Sequence, residues 1–60
     1  MSSKEVEKKL KKAGGEVVRQ TGSHRQYKMP NGKLVTVQQK KKDIPLGTLK
    51  SIEKQAGIKL

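Results

Sequence analysis

The sequence has no cysteine, phenylalanine or tryptophan, and its single aromatic residue is Tyr27. Without cysteine there is neither a disulfide scaffold nor a cysteine-ligated zinc site. The same absence is compatible with a reducing cytoplasm, which is the expected location. Scarce aromatics leave the core to Val, Leu, Ile and Met. They also remove most of the platforms on which single-stranded bases stack. No run of apolar residues exceeds two, so neither a membrane span nor a signal-peptide core is expected. Acidic residues are few as well. Five Asp and Glu stand against fifteen Lys and Arg, a formal net charge of +10.

Sixty residues suit one domain spanning 1–60, because a chain of this size buries only ~60% of its unfolded surface. A large enzyme cleft with its own lid is excluded. The positive excess favours nucleic acid, an anionic membrane or an acidic protein as partner. High charge with low hydrophobicity is also the signature of disorder, but the patterning along the chain argues for a fold. Val6, Leu10 and Ala13 recur at helical spacing. Ser2 precedes Glu5 at capping-box distance, with Ser3 an equal candidate for the cap, and Gly14 supplies a positive backbone angle to end the helix. Three strands follow, Glu16–Gln20, Ser23–Met29 and Leu34–Gln39, separated by Thr21-Gly22 and by Pro30-Asn31-Gly32. A second helix carries Leu46, Leu49, Ile52 and Ala56 on one stripe. Asp43 is its candidate cap, Pro45 suits its first turn and Gly57 its end. Ile58 and Leu60 can fold back onto the core. The expected fold is α+β in the order α-β-β-β-α, a three-stranded antiparallel sheet with both helices on one face.

Turn chemistry sets the strand register. A two-residue Asn31-Gly32 loop would scatter the apolar residues over both faces. A three-residue loop with Gly32 in the left-handed bulge position puts Tyr27, Met29, Val35 and Val37 together. The middle strand then presents His24, Gln26 and Lys28 on the opposite, polar face, with Gln38 across from His24. A two-residue Thr21-Gly22 loop would place Arg19 across from His24 on the other side. It would also turn Val17 outward and Val18 toward the core.

His24 is the only histidine, and a lone histidine is by itself a weak signal. This one follows a glycine turn on the polar face, and imidazole ordinarily exchanges protons near neutrality. Ser23 is its chain neighbour, so in a strand the two side chains diverge, which disfavours a hydrolase triad. No carboxylate pair and no phosphate-cradling glycine loop is evident. RNA cleavage suits what is present, because the substrate's own 2′-hydroxyl can serve as nucleophile. The protein then supplies a proton acceptor, a cation near the phosphate and basic surface. His24 is the candidate acceptor and Arg19 or Arg25 the cation. Lys28, the Lys40-Lys41-Lys42 run and the lysines of the first helix would hold the strand. No metal or small-molecule cofactor is called for. Two alternatives use the same residues: a non-catalytic RNA-binding module, and a basic helix docking on an acidic partner or membrane surface.

Gly22-Ser23-His24-Arg25-Gln26-Tyr27, followed by Lys28, Pro30 and Gly32, resembles the strand motif of the HicA family of mRNA interferase toxins. Val35-Thr36-Val37 matches that family's third strand. Ile44-Pro45-Leu46-Gly47-Thr48-Leu49-Lys50-Ser51-Ile52, with Gln55-Ala56-Gly57, matches its second helix. The resemblance implies a double-stranded-RNA-binding-domain-like fold, cleavage of mRNA, a HicB-type antitoxin covering the site, no membrane partner, and a catalytic histidine at His24. Two departures stand out. Gly15 replaces a bulky residue, which is expected to thin the core and leave the free chain weakly folded until a partner binds. Gln38-Gln39 replace a turn with proline and histidine.

Overall fold

A computed structural model describes residues 1–60. The chain forms α1 (Ser3–Lys12), β1 (Glu16–Thr21), β2 (His24–Lys28), β3 (Leu34–Gln38) and α2 (Leu46–Ala56). The strands make one antiparallel sheet in the order β1-β2-β3, so the α+β arrangement expected from the sequence is the one adopted. No helix is long and apolar enough to cross a membrane.

Helix α1 starts in a full capping box. The Ser2 hydroxyl accepts the Glu5 N–H at 3.2 Å, and Glu5 accepts the Ser2 N–H. Ser2 is therefore the cap. Ser3 lies inside the first turn and is buried. Its N–H donates to the Lys41 carbonyl at 2.9 Å and its hydroxyl accepts the Lys41 N–H at 3.1 Å. The core gathers Val6 and Leu10 from α1, Tyr27 and Met29 from β2 and the segment after it, Val35 and Val37 from β3, and Ile44, Ile52 and Ala56. Ile58 and Leu60 pack against it as expected. A fully buried Val or Leu contributes roughly 1.5–3 kcal/mol, so nine such positions carry most of the favourable term in so short a chain.

The β2–β3 register is the one the bulged loop dictates: Tyr27 faces Val35, Arg25 faces Val37 and His24 faces Gln38. Gly32 sits at φ 83° and Met29 N–H donates to the Lys33 carbonyl at 2.9 Å. The β1–β2 hairpin differs from expectation. Its loop is Gly22-Ser23, so Thr21, not Arg19, stands opposite His24. Gly22, at φ 57°, takes the first loop position, where primed two-residue turns require a positive angle. The ladder then slips at Val18, a bulge that leaves Val17 opposite Tyr27 and Arg19 opposite Gln26. Val17 therefore shares the side of Tyr27 rather than the outer side. Val18 does not enter the core; both valines are about half exposed, at 44% and 50%.

Three further expectations are corrected. Asp43 does not cap α2, whose cap residue is Pro45 with no side-chain bond; it instead accepts from the N-terminal amine at 3.1 Å. Leu46 is 66% exposed while Ile44 is buried in the core, because the extended segment before the proline turns inward. Gly15 leaves no gap: a Cβ there would lie 2.7 Å from the Met29 sulfur and 2.8 Å from the Leu10 carbonyl oxygen. Flexible Met29 has already taken the space of the bulky side chain.

Candidate functional site

The outer face of the sheet is built in cross-strand rows. Thr21, His24 and Gln38 form one, Arg19, Gln26 and Thr36 the next, and Glu16, Lys28 and Leu34 the third. Successive rows are two residues apart along β2 and β3, about 6.6 Å, and the bulge adds a third residue between the last two rows on β1. His24 is exposed and Gln26 half-buried. Around them lies an open depression of about 270 Å³, lined by Arg19, Thr21, His24, Gln26 and Thr36 and by no apolar residue. The Gln26 Nε2 donates to the Thr36 hydroxyl at 3.5 Å, a long contact that fixes the amide loosely.

Arg19 belongs to this depression although it stands one row from His24. The Gly22-Ser23 loop makes the pair diagonal, a separation that a long side chain spans. Arg25 lies elsewhere. It neighbours His24 in the chain and projects to the inner face, where its Nη1 donates to Glu7 Oε1 at 2.9 Å and its Nη2 to Gln20 Oε1 at 3.3 Å. The outer face thus brings His24 together with Arg19 but not with Arg25. Lys28 lies two rows from Thr21 at the far end of the same face. Lys40, Lys41 and Lys42 follow β3 past the His24 end, where Gln39 N–H donates to the Ser23 carbonyl at 2.7 Å. Lys40 adopts φ 61°. Lys41, held to α1 through Ser3, lines a smaller groove of about 80 Å³ that shares Thr36 with the main depression. The chain's two ion pairs are Arg25–Glu7 and the N-terminal amine with Asp43. Arg19, Lys28 and the lysine run take part in neither.

Behind the depression, the inner side of β2 is closely partnered. The Tyr27 hydroxyl donates to Glu7 Oε1 at 2.7 Å, the same oxygen that accepts from Arg25. Glu7 thereby ties α1 to the middle strand. Burial, followed by the bond to Glu7, pushes the Tyr27 hydroxyl above its ordinary pKa of 10.0. The Arg25 guanidinium is lifted further still, first by the adjoining Tyr27 hydroxyl and then by Glu7. No buried side-chain polar atom lacks a partner.

The arrangement offers an exposed imidazole, a cation within reach, and hydroxyl and amide groups on a concave polar surface. Such a set can move a proton and hold an anion. No three His, Asp or Glu side chains come together to ligate a metal ion. Thr21, Gln26 and Thr36 were absent from the sequence-based site. Gln26 and Thr36 were legible in the alternation of β2 and β3. Thr21 was hidden because the sequence placed it in the turn.

One family model, described as HicA toxin of bacterial toxin-antitoxin, matches residues 3–58. No curated protein sequence matches the chain significantly.

Proposed function

Because the chain belongs to the HicA toxin family of bacterial toxin–antitoxin systems, with an antitoxin as its counterpart, we propose that it is an endoribonuclease that cleaves mRNA through His24. The observation that carries this is the exposed His24 ring in a polar depression shared with Arg19.

As base, His24 takes the proton of a ribose 2′-hydroxyl. That oxygen attacks the adjacent phosphorus, the bond from phosphorus to the 5′-oxygen breaks, and water protonates the leaving oxygen. As acid, His24 protonates the 5′-oxygen and water accepts the 2′ proton. Either way the products are a 2′,3′-cyclic phosphate and a 5′-hydroxyl. Arg19 stabilises the charge that gathers on the phosphoryl oxygens. Lys28 and Lys40, Lys41 and Lys42 hold the flanking backbone, and neither a metal nor a small-molecule cofactor enters the scheme. One positioned imidazole contributes about a hundred- to ten-thousandfold. Cleaved mRNA arrests translation, and a HicB-type antitoxin covering the polar face of β2 would silence it, as befits a stress-response pair.

The test is RNA cleavage by the wild-type chain and by His24→Ala at equal folded concentration. Loss of cleavage with retention of RNA binding is expected. Undiminished cleavage by His24→Ala removes the proposal, and binding without cleavage by either protein leaves a passive RNA-binding module.

A further inference from the structure

The row beside the imidazole has a chemistry of its own. Gln26 is half-buried in the floor of the depression, one row from His24 and flanked by Arg19 and Thr36. Its Nε2 spends one hydrogen on Thr36 at 3.5 Å. The Oε1 and the second amide hydrogen take no part in any hydrogen bond within the protein, and the residue lines the depression. No aromatic or aliphatic side chain lines that space, so a base entering it is recognised by hydrogen bonds, not by stacking.

We propose that Gln26 is a specificity-determining residue: its amide reads an adenine base next to the phosphate held at His24. This rests on the nuclease proposal for the meaning of that phosphate. An amide sets an acceptor beside a donor. Adenine answers with its N6 amino group and N7, the pairing by which glutamine selects this base. Guanine presents two acceptors on that edge and leaves Oε1 facing one of them. The row order places the rest of the strand. An extended RNA along β2 meets the lysine run, then His24, then Gln26 with Arg19, and finally Lys28. Row spacing of about 6.6 Å lets neighbouring nucleotides meet neighbouring rows. The amide is held from one side only, so a small rotation suffices to square it to the base.

Binding tests this independently of cleavage. His24→Ala is titrated with oligouridine carrying one central adenosine, and with its guanosine, cytidine and all-uridine counterparts. The expected result is preference for the adenosine strand by about tenfold or more, abolished by adding Gln26→Ala. Adding Gln26→Glu in its place moves the preference toward cytidine, whose amino group a carboxylate accepts. Since Gln26→Glu keeps the side-chain shape, a shifted preference separates recognition from misfolding. Equal binding of all four strands, or an adenosine preference that survives both substitutions, overturns the proposal. End mapping of RNA cut by the wild-type chain completes it: adenosine beside the cuts supports the assignment, and cuts with no base bias contradict it. An absence of cuts counts against the nuclease proposal and leaves the binding result to decide the role of Gln26.

Discussion

The two sides of β2 differ sharply in how the fold uses them. On the inner side, Arg25 and Tyr27 share one carboxylate oxygen of Glu7, and Tyr27 is fully buried. On the outer side, His24 and Lys28 are exposed and join no ion pair, and Gln26 makes one long contact. Residues adjacent in the chain thus have opposite duties, because a strand sends successive side chains to opposite faces. The inner side is held by its partners and contributes stability. The outer side is left underused by the fold and is free for a ligand. A cation is informative for function here only once its face is known, as Arg19 and Arg25 demonstrate.

That contrast can be broken by substitution on each side. After His24→Ala, the largest effect is expected from Arg19→Ala, which should slow RNA cleavage about a hundredfold, in the range for removing one charge-stabilising donor, with the melting temperature unchanged. Single-turnover kinetics with a parallel thermal melt checks both halves. Tyr27→Phe should do the converse. Losing the hydroxyl bond to Glu7 is expected to cost about 1–2 kcal/mol in urea unfolding, with the cleavage rate per folded molecule preserved. Combining the two should give additive effects, because the sites lie on opposite faces without a shared partner. Alkaline unfolding sharpens the inner side further. The folded pKa of Tyr27 is raised, so the folded state keeps a proton that the unfolded state gives up. Its contribution is full below pH 10.0 and declines as pH rises from there through the folded value. Tyr27→Phe should flatten that part of the stability profile. The smallest effect belongs to Lys28→Gln: the salt dependence of RNA binding should lose about 0.7 from its logarithmic slope, one phosphate contact on a single strand, with little change in stability.

How far the sequence disclosed this depends on the local chemistry of each turn. Pro30-Asn31-Gly32 fixes one angle by its ring and another by its glycine, so the β2–β3 register was readable and with it the outward projection of His24. Thr21-Gly22-Ser23 contains one glycine that can sit at either loop position, and the two choices shift the pairing by two residues. The Val18 bulge added a second slip that no local signal announces, since β-branched residues favour strand conformation whether bulged or paired. The turn alone carried Arg19 from the row of His24 to the row of Gln26 while keeping it on the same face, and the bulge re-paired only Val17 and Glu16. The engagement of Arg25 on the inner face was hidden for a different reason. Its partner Glu7 lies eighteen residues away on α1, and such a tertiary pair leaves no trace in spacing. Gly15 looked like a hole because a missing side chain is visible in sequence, whereas Met29 bending into the space is not.

The central claim is that the outer face of β2 provides proton transfer and positive charge while the RNA provides its own nucleophile. A strand cut by the wild-type chain at a mapped position, resynthesised with a single 2′-deoxy sugar on the 5′ side of that bond, tests it most directly. The account predicts that cleavage at that bond disappears while binding and cleavage elsewhere persist. Cutting of the deoxy bond at the ribo rate would contradict it.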